Sequence, residues 1–322
     1  MEERIHLQST TMRTDLRRWV YRVLILACLL AVLLLAGWYF WFRRAPGDGP
    51  VGIVVPRERF AGAWMQREVF LVGMGDSVTA GFGASPGLSY FERLARNPPG
   101  EFAELAGVSL SRVFPVLRVT NLAISGSTSL QHERSQLPKL AVQATNVFGL
   151  VVMTTGGNDL IHNYGRTPPI EGAMFGARWE DAQAWVVEFE KRLQRIVRKI
   201  EEAFPGGCRI FLANIYDPSD GTGELWPVFL PRWPDGLRLL DAYNRAIERV
   251  ATERHPVVSV VDIHTPFLGH GIYCAQFWRT VYDRSDPHYW YLENVEDPND
   301  RGYDALRRLF LNRIVDVMAS LP

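Results

Sequence analysis

The chain has 322 residues, 47% of them hydrophobic and 22% charged, with 35 basic side chains balanced by 35 acidic ones. That length holds one large domain or two ordinary ones. Zero formal charge excludes both the basic balance of a nucleic-acid binder and the charge-rich composition of a disordered chain. Three cysteines, Cys28, Cys208 and Cys274, are too few for a disulfide-built scaffold.

The first element is apolar. From Val23 to Phe42 there is no charged residue, and a helix of that length rises about 30 Å, the hydrocarbon thickness of a bilayer. Arg17, Arg18 and Arg22 precede it and Arg43 and Arg44 follow it, while Trp38, Tyr39 and Trp41 sit at its far end, where rings favour the headgroup level. The reading is a transmembrane anchor with a cytoplasmic tail over 1–22, a span over 23–42, a Pro/Gly linker over 43–62 and a single large domain over 63–322. A cleaved signal peptide is the rival, although the apolar run exceeds the roughly 7–15 residues of such a segment. Arg4, Arg13, Arg17, Arg18 and Arg22 favour an N-terminus inside and a periplasmic or cell-surface domain; Arg43 and Arg44 weigh against this. In an oxidising space Cys208 and Cys274 have the option of pairing, but two buried thiols are the favoured reading.

Beyond the linker, apolar β-rich runs alternate with helical patterns. Strands are expected over Val69–Met74, Leu117–Leu122, Leu150–Thr154, Arg209–Ile215 and Val257–Ile263. Their Val/Ile/Leu-rich character suits strands covered on both faces of a parallel sheet. Helices are expected over Ala182–Phe204, Asp235–Arg254 and Gly302–Met318, from apolar residues spaced by three and four. The alternation predicts an α/β fold: a flavodoxin-like, doubly wound, mainly parallel five-stranded sheet behind one transmembrane helix. In such folds ligands sit at the carboxyl ends of the strands.

Three loops at those ends carry chemistry. Gly75-Asp76-Ser77 follows the first strand and places a serine hydroxyl at a helix start, as a nucleophile or as an ordinary N-cap. No G-x-S-x-G elbow and no complete dinucleotide fingerprint surrounds it. Gly126 follows the second strand and leaves a backbone amide open to a ligand oxygen. Asn158, after Gly156 and Gly157, is an oxyanion donor or a turn residue.

In order and spacing these loops resemble the first three sequence blocks of the SGNH (GDSL-type) hydrolases, and the resemblance runs from about Val69 to Met318. It implies a serine nucleophile at Ser77 and an oxyanion hole from Ser77, Gly126 and Asn158, with no cofactor. The last block departs from the pattern. Where the family has D-x-x-H-P-N, this chain has Asn294-Val295-Glu296-Asp297-Pro298-Asn299. An exposed carboxylate is a poor base for a serine, so a histidine is sought upstream. His288, oriented by Asp286, is the first candidate and His270 the second; His264 lies in the same region and His162 is a substrate-contact candidate. The acidic stretch 281–304 reads as a solvated or Arg-paired face rather than a cation site. The aromatic segments 226–233 and 277–291 serve equally as packing or as walls of a substrate pocket.

The function expected is a membrane-anchored serine esterase or acyl hydrolase acting on a small-molecule, glycan or lipid ester. The alternatives are an acyltransferase on envelope glycans and a non-catalytic glycan- or ligand-binding domain that kept the pocket and lost its base.

Overall fold

A computed structural model describes residues 2–161 and 170–319, with backbone alone for residues 2–16. Two units make up the chain, Met1–Arg43 and Arg44–Pro322. The first is one helix, α1 (Glu2–Trp41). Its stretch Arg17–Trp41 is long and apolar enough to cross a membrane, a property that signal sequences share. The segment expected as a separate tail continues the same helix.

The second unit follows in chain order as β1 (Val69–Gly75), α2 (Ser77–Ala80), α3 (Tyr90–Ala95), α4 (Leu110–Val113), β2 (Leu117–Asn121), α5 (Ser129–Gln131) and β3 (Phe148–Thr154). Next come α6 (Gly157–Ile161), α7 (Trp179–Ala203), β4 (Cys208–Ala213), α8 (Gly236–Glu253), β5 (Val258–Val261), α9 (His264–Phe267) and α10 (Asp300–Met318). The five strands form one parallel sheet in the order β2-β1-β3-β4-β5. Connections leave β1 in one direction and β3 in the other, so the crevice for a ligand falls where β1 meets β3. β1 and β3 are buried along their whole length, and α7 and α8 close one face through Phe189, Leu193, Ile196, Tyr243 and Ile247. Helix α10 buries Leu306, Phe310 and Ile314, and Phe310 stacks on Tyr90 of α3.

Two expectations need correction. β2 is an edge strand and none of its residues is buried; its Val/Leu content reflects β propensity rather than burial on both faces. The stretch 43–62 is no free linker beyond Arg43. Val51, Val55 and Phe60 are buried, and α10 grips the backbone here: Val51 N–H donates to Asp304 Oδ2 (3.2 Å), Arg308 donates to the Ile53 carbonyl (2.9 Å) and Asn312 to that of Val54 (2.9 Å). Cys208 and Cys274 are both buried free thiols.

Candidate active site

β1 delivers Ser77 through a turn that only glycine fits. Gly75 has φ +122°, and a Cβ there would lie 2.0 Å from the Thr154 carbonyl of β3. Asp76, not Ser77, caps the short helix α2, accepting from Val78 N–H at 3.1 Å. Asp76 also accepts from Thr154 Oγ1 at 2.6 Å. Its carboxyl is enclosed, and burial raises its pKa to about 6 against the lowering effect of those hydrogen bonds. Ser77 is thus freed from the capping role.

The other two blocks are stitched to the same turn. Gln136 receives the Gly75 amide (2.8 Å) and donates to the Gly75 carbonyl (2.7 Å) and to Ser127 Oγ (3.0 Å). Ser127 Oγ donates to the Gly75 carbonyl as well (2.9 Å). Gly126 precedes it at φ +78°. Asn158 Nδ2 donates to the Ser127 carbonyl at 3.0 Å. The loops bearing Ser77, Gly126 and Asn158 therefore meet at the β1–β3 crevice. Asp159, beside Asn158, turns inward to the amide and hydroxyl of Ser129, with Arg192 at 3.5 Å; burial raises it to about 6.

The divergent block closes the site. Asp297 is buried, and its neighbours Val295 and Glu296 line the same cavity as Ser77. Asn294 Nδ2 donates to its Oδ2 at 2.8 Å, while Oδ1 is enclosed with no hydrogen-bond partner among the described residues. Burial raises the Asp297 pKa, and Ser77 and Asn294 lower it in part. The two residues that depart from the D-x-x-H pattern are thus bonded to each other, beside the cavity that Ser77 lines. A tight turn holds them, with Leu292 N–H donating to the Asp297 carbonyl (2.7 Å) and Val295 at φ +58°. Glu296 is raised to about 7 by burial and then by the neighbouring Asp297.

The expected histidines lie elsewhere. His288 and Asp286 do pair, Nδ1 to Oδ1 at 2.6 Å, but Asp286 also binds Arg301 at 2.8 Å. This cluster holds the segment after Arg44: Gly47 packs on the His288 ring, Arg301 donates to the carbonyls of Asp48 (3.0 Å) and Gly49 (2.7 Å), and Tyr289 N–H donates to that of Ala45 (2.8 Å). His270 is buried, stacked on Trp290 at 3.5 Å, with Nδ1 bonded to the His288 carbonyl at 3.1 Å; burial lowers its pKa. His264 Nδ1 bonds to the Ile215 carbonyl at 2.8 Å. His162 lies outside the described residues. Among the described residues no imidazole bonds to Ser77.

A cavity of about 140 Å³ adjoins Ser77, Asn158 and Glu296. Its walls include Leu160, Ile215, Leu225, Leu230, Trp233 and Leu240. The two aromatic segments divide the roles left open by the sequence. Tyr289, Trp290 and Tyr291 are buried packing around Phe267 and His270, whereas Trp233 lines the cavity with its indole N–H bonded to the Ala177 carbonyl. The acidic stretch is Arg-paired at Asp286 and at Asp304, which meets Arg93 and Arg308.

The family model of GDSL-like lipases and acylhydrolases matches residues 74–305. The chain belongs to this family. The GDSL-like protein is accordingly a hydrolase acting on ester bonds. Among solved structures it is similar to an extracellular lipase of Streptomyces rimosus, at 18% identity and a TM-score of 0.52, over 76% of this chain and 99% of that one. It is also similar to a phospholipase A1 of Streptomyces albidoflavus (17% identity, TM-score 0.48, 77% and 99% covered). A catalytic mutant of an acetylxylan esterase of Geobacillus stearothermophilus is a further neighbour (17%, 0.46, 78% and 95%). At these identities the likeness is one of fold. No curated protein matches the chain. Sequence reasoning passed over Gln136, which ties two blocks together from a π-helical turn, and Arg192, which reaches back from α7; neither lies in a motif, so no local signal marks them.

Proposed function

We propose that the protein is a membrane-anchored serine esterase in which Asp297, rather than a histidine, takes the Ser77 proton. The burial of Asp297 on the loop whose Val295 and Glu296 line one cavity with Ser77, with Asn294 bonded to its carboxyl at 2.8 Å, carries this reading. Ser77 Oγ bonds to the ester carbonyl carbon as its proton passes to Asp297. The oxyanion is met by Asn158 Nδ2 and by the amides of Ser77 and Gly126, the donors that the family resemblance implies. The C–O bond to the alcohol then breaks, and Asp297 returns its proton to the departing oxygen. Water repeats the cycle in reverse and frees the acid. Burial makes this feasible: a carboxylate held at raised pKa is a stronger base than an exposed one. Asn294 keeps Asp297 aimed, as the acid of an Asp–His pair aims its imidazole.

The apolar walls of the cavity support an apolar acyl group as the portion bound there. Helix α1 supports the anchor, its Arg17–Trp41 stretch being of spanning length. The flanking arginines favour the domain outside the cytoplasm. The test is labelling of the intact protein with a fluorophosphonate and hydrolysis of p-nitrophenyl esters, both lost in Ser77→Ala. A wild-type protein that binds esters but neither labels nor hydrolyses them is a binding module instead.

A further inference from the structure

The loop after β4 carries an outward-facing apolar knuckle. A 3₁₀ turn, Trp226–Val228, ends at Phe229. Phe229 is 89% exposed and has φ +61°, a left-handed conformation that a bulky residue adopts only when its surroundings impose it. Trp226 is 43% exposed. The residues on either side, Leu225 and Leu230, are cavity walls, so the knuckle is the outer surface of the acyl pocket.

The same knuckle is fixed to the start of the domain. Arg44 donates to the Pro227 carbonyl at 3.4 Å, and its guanidinium lies over the Tyr289 ring. Two residues, Phe42 and Arg43, separate Arg44 from Trp41, the last residue of α1, three steps of chain with a reach of at most about 11 Å. A bilayer crossed by α1 therefore ends close to Arg44, whatever the orientation of the domain.

We propose that Phe229 and Trp226 insert into the interface of the bilayer that holds α1, so that the ester is drawn from the lipid phase into the cavity behind them. The inference rests on the membrane-anchored esterase reading above. Amphipathic and aromatic rings favour the headgroup level, and an arginine beside them suits phosphate headgroups. Leu225 and Leu230 place the pocket wall directly behind the inserted rings, which gives an acyl chain a path with little exposure to bulk water.

The experiment uses the full chain in phosphatidylcholine/phosphatidylglycerol nanodiscs, with nitroxide labels read by oxygen and nickel-chelate accessibility. The native Cys28 reports the anchor, since Cys208 and Cys274 are buried. Phe229→Cys in a Cys28→Ala background reports the knuckle, and Lys191→Cys, exposed on α7, reports water. Labels at 28 and 229 are expected to be oxygen-accessible and shielded from nickel, with the reverse at 191. A label at 229 in water while that at 28 is in hydrocarbon overturns this inference and leaves the anchor standing. Labels in water at both positions overturn the anchor as well. In kinetics, Phe229→Ser is expected to lower turnover of a long-chain ester dissolved in the disc by about tenfold, the scale of one ring's lost burial. Turnover of p-nitrophenyl acetate stays within about twofold, as for a surface substitution. Equal rates for both proteins on the long-chain ester overturn the proposal, and failure on both esters by the wild type tells against the esterase reading instead.

Discussion

Asn294 and Asp297 occupy the positions where the family pattern has an aspartate and a histidine, and their side chains are hydrogen-bonded to each other at 2.8 Å. Asp297→Asn is expected to lower kcat by on the order of 10³, as loss of a triad member does, with KM little changed. Because burial raises the Asp297 pKa, its basic form is present only above that raised value. Activity therefore falls as the medium is acidified through it, and a kcat/KM profile measured on short esters shows this single carboxylate limb. A limb near the ordinary histidine pKa that disappears in His288→Ala would sink the assignment. His288→Ala itself is expected to keep kcat within about threefold, because its ring grips Gly47 and Asp286 rather than Ser77. Restoring the family pattern with Asn294→Asp and Asp297→His together is expected to raise kcat by at least about tenfold, an imidazole being better matched to neutral pH.

Among the elements, the β1–α2 turn is the least tolerant. Gly75→Ala places a methyl group against the Thr154 carbonyl at a φ that only glycine adopts freely. The combined strain and overpacking come to about 3 kcal/mol. Thermal unfolding is expected to move down by about 10 °C for a domain of this size, and an unchanged Tm would show that β1 and β3 part more readily than their register implies. The segment from Arg44 to Phe60 is an element of a different kind. Its composition reads as a tether, yet Asp304, Arg308 and Asn312 of α10 hold its backbone. Its partners lie about 250 positions away in sequence, and no local pattern of Pro and Gly encodes them.

For the whole molecule, buried carboxyls set the response to pH. Asp76 and Asp159 are raised to about 6 and Asp220 and Glu296 to about 7, each by burial first. A folded-state pKa above that of the unfolded chain means that ionisation destabilises the fold, and the loss is relieved as protons bind below that value. His132, held neutral by burial with its pKa near 3, and His270, also lowered by burial, oppose this from pH 6.5 downward, but they are two groups against four. Tm is therefore expected to be higher at pH 5.5 than at pH 8, and a lower value at pH 5.5 would contradict these burials. The alternation of apolar runs and helical faces was enough to specify a five-stranded parallel α/β fold, because burial of β1, β3, α7 and α8 leaves a periodic trace. The three loops that bear Ser77, Gly126 and Asn158 were equally legible, being contiguous motifs at strand ends. The exposure of β2 was not, since an edge strand keeps β-forming residues without burying them. Nor was the place of the expected base: His288 and Asp297 belong to one loop, and only the fold of that loop, pinned at Leu292 and Asn294, draws the His288 ring to Gly47 and Asp286 rather than to Ser77.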